Sequence, residues 1–499
     1  MSNDRIRMQS LQSKVCSADE AAMLIKDGMY IGISGFTKFG DARAVPKALA
    51  RRAKNGDKFC ITLMTGASLG SDIDEDLGDL GITVRRLPYQ GSPQLRKHIN
   101  CGDVMYTDQH LSHTGEYIRC GHIHRPDIAI IDATYIDEKG GIVCTTSVGN
   151  NSAFALSADK IIVEINETHP VEMYGLHDIY VPEARPGRKP IPLVKPGDKI
   201  GTPAIQVDPS KIAAIVVHQM GDTPVKLTDA DDETNAIAGH LIEFFKHEVK
   251  KGRMTNSLLP LQSGVGAVAN AVLKGFESSP FSGLSMFTEV AQDTVIDLML
   301  DAGKMDVVST SALSLSQPYL DRVHREVNKL QGKLVLRPQE ISNHPECIRR
   351  LGVIATNTAL EFDIYGNVNS THVLGTKMMN GIGGSGDFAR NAAYTVFVTK
   401  SYAKGGALSS VVPMVTHHDH TEHDVDILIT ELGLADLRGL APRERAKVII
   451  ENTVHPNFKE ILSDYAKEAA AKGGHTPHIL SKAFSLHERF EATGSMLPK

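Results

Sequence analysis

Ser263-Gly264-Val265-Gly266-Ala267-Val268-Ala269 forms a GxGxxA turn between a strand-like and a helix-like run. Glu289 follows Ala269 by 20 residues at the end of the next strand-like run. Glycines in such a turn let backbone N–H groups come close to a phosphate or carbonyl oxygen at the positive end of a helix. With an acid in that register, the pattern also meets the fingerprint of a dinucleotide site. A dinucleotide, another ligand held by the same backbone, and a tight turn without a ligand all satisfy the spacing.

A second glycine run, Asn380-Gly381-Ile382-Gly383-Gly384-Ser385-Gly386-Asp387, matches GxGxxG formally, but Thr376–Met379 before it makes a poor strand and no acid sits in register. Its chemistry would be that of an anion nest or oxyanion hole, and a long turn needing positive φ is the structural alternative. Position 387 is aspartate, so the GxSxG elbow of serine hydrolases is absent. His417, His418, His420 and His423, with Asp419 and Glu422, raise a metal site, yet the outer pair lacks helix-compatible spacing and a polar loop or subunit contact fits better. His475 and His478 flank Pro477 and read as a packing element. Asn343 and Glu431 fall where a turn or a strand end could deliver them to a crevice, with capping or supporting hydrogen bonds as the favoured reading of each.

These residues need scaffolding, and the periodicity describes an α/β protein. β-rich runs at Tyr30–Ser34, Ile61–Thr65, Ile128–Asp132 and Ile161–Ile165 alternate with helix-period stretches. Asp232 to Thr234 supply helix start signals, Ile237, Leu241, Phe245 and Val249 form one apolar face, and Gly252 is a stop. Pro182, Pro186, Pro190, Pro192 and Pro196 make residues 181–197 an extended connection. At an offset near 225 the halves repeat weakly: Ile31–Gly35 answers Leu259–Gly264, Leu63–Gly66 answers Met286–Glu289, and Ile161–Asn166 answers Val396–Thr399. The expected architecture is two related open-sheet α/β domains, residues 1–225 and 226–499. The first copy has Gly66 where the second has Glu289, at a strand end where open sheets bind ligands. Loss of the acid and of the full glycine pattern from the first copy counts against the dinucleotide.

In 499 residues, 41% are apolar and 22% charged, which excludes a disordered chain, and the longest apolar run, near Ile128–Ile131, is too short for a membrane helix. The polar stretch Met1–Ser10 is no signal peptide, so a cytoplasmic location is expected. A net charge of −6 without a basic tract argues against nucleic acid as a partner. Six scattered cysteines without a CxxC pair read as reduced thiols, not as a zinc or redox centre.

Four runs are specific enough together to carry a resemblance: Pro260–Gly266, Phe362–Thr371, Met379–Phe388 and Gly433–Gly439. With them the chain resembles the acetyl-CoA hydrolase/transferase family of class I CoA-transferases over almost its whole length, nearest the branch that moves CoA from succinyl-CoA to acetate. The resemblance implies a homodimer with no permanently bound cofactor or metal, acting on acyl-CoA and short-chain carboxylates, with CoA as a substrate. It implies that Glu289, in Phe287-Thr288-Glu289-Val290, is the nucleophile, that Asn343 is the active-site asparagine, and that Gly384 belongs to the oxyanion loop. CoA contacts carry over onto Gly264, Val265, Gly266, Ala267, Val268, Leu360, Asn380, Gly384 and Lys404, and Glu431 onto the substrate pocket. Net acetyl-CoA hydrolysis is the alternative within the family, and an NAD-dependent dehydrogenase the contrasting class. Where some relatives carry an arginine, after Ile212–Ile215, this chain reads Val216-Val217-His218-Gln219, which keeps propionyl-CoA and acetyl-CoA beside succinyl-CoA as donors.

Overall fold

A computed structural model describes residues 3–226 and 230–498. They divide into two compact units that interleave along the chain: residues 1–226 group with Ser285–Leu351, and residues 227–284 with Gly352–Lys499.

The first unit is built on β1 (Tyr30–Ile33), β2 (Ile61–Met64), β3 (Thr83–Leu87), β4 (Met105–Tyr106), β5 (Ile128–Ile136), β6 (Ile142–Cys144), β7 (Lys160–Asn166) and β8 (Ile212–His218). Their order is β4-β3-β2-β1-β5-β7-β8, parallel throughout, with β6 antiparallel on β5. Strands covered on both faces read as continuous apolar runs, as Ile128–Ile131 does. On one face Ile31, Ile33, Leu63 and Ile130 pack with Val45, Ala48 and Leu49 of the helix Ala44–Lys54. On the other, Gly32 leaves room for Phe154, whose ring lies 2.7 Å from where a Cβ would stand. Each such side chain, once fully buried, contributes ~1.5–3 kcal/mol.

In the second unit the strands Leu261–Ser263, Ile354–Thr358, Tyr394–Val398 and Ile427–Thr430 are parallel neighbours in that order, and Gly433–Asp436 closes the edge antiparallel. This repeats the order β1-β5-β7-β8 and matches the expected pairs Ile31–Gly35 with Leu259–Gly264 and Ile161–Asn166 with Val396–Thr399. The helix expected after Asp232 runs Asp232–Lys250, capped by Asp231, which accepts from the Thr234 N–H, and buries Ile237, Leu241 and Phe245.

The division at 225/226 does not describe these compact units, because Ser285–Leu351 is stitched into the first one. Val148 N–H donates to Ser311 O, Leu313 N–H to Thr146 O, Asp178 N–H to Leu336 O and Gln339 N–H to Gly149 O. Arg337, fully buried, ion-pairs with buried Asp178 and donates from Nε to Ser309 Oγ at 2.7 Å and from Nη2 to Pro196 O at 2.9 Å. The proline-dense segment has no regular helix or strand, as expected, and its carbonyls are part of Arg337's coordination. Arg337→Met leaves Asp178 charged and buried without its partner, so unfolding in urea should show a loss of ~3–5 kcal/mol. An unchanged midpoint would refute that role.

Candidate active site

Glu289 stands in the two-residue link between the strands Leu284–Phe287 and Val290–Ala291, half-buried. Its backbone is held firmly: the carbonyl accepts from Ser311 N–H at 2.9 Å and Ala312 N–H at 3.1 Å, and Thr288 N–H donates to Ser309 O. Val290–Ala291 pairs in parallel with Ala312–Leu313. Beside it Phe36, Ala67, Leu111, Val290 and Ala312 form an apolar cluster against which Tyr89 packs. Burial and then the charge of Glu289 push the Tyr89 phenol up to about 12.

Asn343 ends the short helix Gln339–Ser342 and is wholly buried. Its amide Nδ2 donates to Glu289 Oε1 at 3.1 Å, and its Oδ1 accepts from Ser342 Oγ at 2.9 Å. The hydroxyl therefore sets the rotation of the amide, so that N–H rather than oxygen faces the carboxylate. Two residues 54 apart in sequence thus form a carboxylate with an aimed neutral donor. Such a pair offers an N–H to any oxyanion formed on a carbonyl bonded to the acid. Gly66, the counterpart of Glu289 in the first sheet, lies in the same unit, where an added Cβ would come within 2.5 Å of Gly35 O and 3.0 Å of Gln339 Oε1. Gly66→Ala should cost ~1–3 kcal/mol in thermal or urea unfolding, because the nearest obstacle is backbone.

The second unit holds the other singled-out residues. Gly264, Val265 and Gly266 form the turn between Leu261–Ser263 and the helix Ala267–Ser278, which contains Ala267 and Val268. Gly266 has φ +113 with open space beside it, Val265 is 53% exposed, and a Cβ on Gly264 would come within 3.8 Å of Thr356 O. Leu360, half-buried, donates its N–H to Asn369 O. Asn380 donates to Gly381 O at 2.9 Å and to Ser370 O at 3.4 Å. Gly384 precedes the helix Ser385–Asn391, after Gly383 at φ +59. Lys404 is exposed at the tip of a hairpin in which Tyr402–Ala403 pairs with Leu408–Ser409. Glu431 ends the strand Ile427–Thr430, and both its oxygens are engaged by Ser401, Oε2 by the N–H at 2.8 Å and Oε1 by the hydroxyl.

The histidine stretch is a polar loop. His420 is buried beside Phe397 with Nε2 3.1 Å from Ser385 Oγ, and the His417 ring lies tilted against that of His372 with centroids 3.8 Å apart. His478 packs by Nδ1 against the Tyr465 hydroxyl at 2.9 Å, as a packing element should. Among the described residues, one group brings together enough donors to surround a metal: Asp132, Glu164 and His218, all buried. His218 Nε2 lies 3.4 Å from Asp132 Oδ1 and 3.2 Å from Glu164 Oε2, while Nδ1 accepts from Met220 N–H at 3.0 Å. A metal on Nε2 would require the proton on Nδ1 and would lose that bond, so the arrangement suits an Nε2–H between two carboxylates. Glu164 also accepts from the N–H groups of Arg43, Ala44 and Val45 at the start of a helix. His218 ends β8 and is committed to this cluster.

Residues 1–217 match the acetyl-CoA hydrolase/transferase N-terminal domain and residues 321–466 the corresponding C-terminal domain. The chain is 52% identical over 494 residues to a succinyl-CoA:acetate CoA-transferase of Clostridium kluyveri, covering 99% of this chain and 92% of that protein. It belongs to the acetyl-CoA hydrolase/transferase family. A propanoyl-CoA:succinate CoA transferase of Escherichia coli is 43% identical, covering 96% of this chain and 98% of the relative. A solved 4-hydroxybutyrate CoA-transferase of Porphyromonas gingivalis superposes with TM-score 0.64 at 20% identity over 92% of this chain and 99% of that one, which establishes the shared fold. Membership in the acetyl-CoA hydrolase/transferase family replaces the dinucleotide reading of the glycine turn. Among the described residues no helix is long and apolar enough to cross a membrane. Ser342 and Ser401, which orient Asn343 and Glu431, escaped the motif reading. Their only sequence signal is Ser342's position directly before Asn343, since Ser401 is 30 residues from Glu431.

Proposed function

We propose that this chain transfers CoA from a short-chain acyl-CoA, succinyl-CoA among them, to acetate through a glutamyl-CoA thioester on Glu289. The observation that carries the reading is the Asn343 amide bonded to the Glu289 carboxylate. In the proposed course a Glu289 oxygen attacks the acyl-CoA carbonyl, the C–S bond breaks, and an acyl-glutamyl anhydride and CoA thiolate result. The thiolate attacks the glutamyl carbonyl, releasing the first acid as carboxylate and leaving the thioester. Acetate then runs both steps in reverse.

Each addition places negative charge on a carbonyl oxygen. Asn343 Nδ2 and the Gly384 N–H are the donors assigned to it, the first a pre-aimed one. The turn Gly264–Val268, with Leu360, Asn380 and Lys404, is assigned to CoA and Glu431 to the substrate pocket. No permanently bound cofactor is part of the reading, and the working form is a homodimer, which sedimentation of the native protein checks.

Borohydride reduction after incubation with acyl-CoA, followed by peptide mass analysis, tests the reading. Conversion of Glu289 to the alcohol is expected, and an unaltered Glu289 in an enzyme that turns over rejects it. Because the family's name covers hydrolases too, loss of acetyl-CoA without formation of a new thioester would select hydrolysis instead.

A further inference from the structure

Lys404 is exposed, and its backbone (φ +53) is followed by Gly405 at +65 and Gly406 at +92, so the tip of its hairpin rests on a permissive turn. The base of the hairpin is a different matter. Lys400, Ser401 and Tyr402 are each held by an acidic side chain. The Lys400 ammonium bridges Asp231 and Glu233, at 2.7 Å from the latter. The Tyr402 hydroxyl donates to Glu233 Oε1 at 2.6 Å, and Ser401 is held by Glu431. Glu233 therefore receives two of the three consecutive residues, from the first turn of the helix Asp232–Lys250, where a negative side chain is favourable. Lys400 and then Tyr402 lower its pKa further. The network thereby ties three consecutive residues at the base of the hairpin to acidic side chains.

We infer that Glu233 is a positioning residue for CoA binding, acting through Lys400 and Tyr402 to fix the hairpin that presents Lys404. The inference rests on the proposed contact of Lys404 with CoA. A cation on four rotatable bonds binds an anion better when the backbone beneath it is already placed, because less freedom is lost on binding.

Steady-state kinetics of Glu233→Gln, Lys404→Ala and the double variant, with acyl-CoA donor and acetate acceptor varied separately, test this. Glu233→Gln should raise KM for acyl-CoA roughly fivefold and leave KM for acetate and kcat within about twofold, and Lys404→Ala should raise KM for acyl-CoA ~10-fold or more. In the Lys404→Ala background, Glu233→Gln should add less than about twofold, since coupled residues are not additive. Tyr402→Phe, which deletes only the hydroxyl, should shift KM in the same direction and stands in if Glu233→Gln folds poorly. A Glu233→Gln enzyme with unchanged KM, or one whose effect multiplies in full on Lys404→Ala, overturns the inference and leaves the Lys404 contact standing. A Lys404→Ala enzyme with unchanged KM removes that contact and the inference together.

Discussion

Glu289→Gln is expected to lower CoA transfer by on the order of 10⁴-fold or more, because an amide cannot form the anhydride from which the thioester arises. Glutamine nearly matches glutamate in volume and can still accept from Asn343 Nδ2, so the thermal midpoint should stay near that of the unaltered protein. Glu289→Asp keeps the charge but withdraws the carboxylate by one methylene. A displacement of about that size costs ~10²-fold where reacting atoms must be aligned. Transfer rates measured by thioester exchange onto labelled acetate, alongside melting curves, check both variants. Transfer by Glu289→Gln within tenfold of normal would refute the assigned nucleophile.

The next largest effect falls on Asn343. Asn343→Ala removes the buried donor on Glu289 Oε1, and kcat should fall ~10²–10³-fold, the usual loss for one oxyanion donor, with KM for acyl-CoA little changed. Asn343→Asp sets a second carboxylate against the first and should do no better, since like charges at that distance oppose ionisation of both. Ser342→Ala, which frees the amide to rotate, should give a smaller drop. A normal kcat in Asn343→Ala would limit this side chain to holding the turn after Ser342.

The strand positions were legible because period-two and continuous apolar runs report burial directly, and the helix at Asp232 was legible from its cap and its apolar face. The composition of the units was not. Ser311, Leu313, Leu336 and Gln339 find their backbone partners at Val148, Thr146, Asp178 and Gly149, more than 150 residues away, and no local pattern encodes such pairing. Glu289 and the glycine turn each stood out by type and spacing. The pairing of Asn343 with Glu289 did not, because an asparagine after a short helix looks like any cap. Spacing also gave no hint that His218 would be enclosed by Asp132 and Glu164, on strands β5 and β7.

The threading of Ser285–Leu351 through the first unit bears on how the protein is made. A ribosome that has released residue 226 has not yet released the strands and the Arg337 anchor that complete this unit. At ~5–20 residues per second the nascent chain waits several seconds for them, with the Asp178 carboxylate lacking its Arg337 cation. A gene cut between codons 226 and 230 should therefore yield two fragments that aggregate when expressed separately and recover activity only when synthesised together.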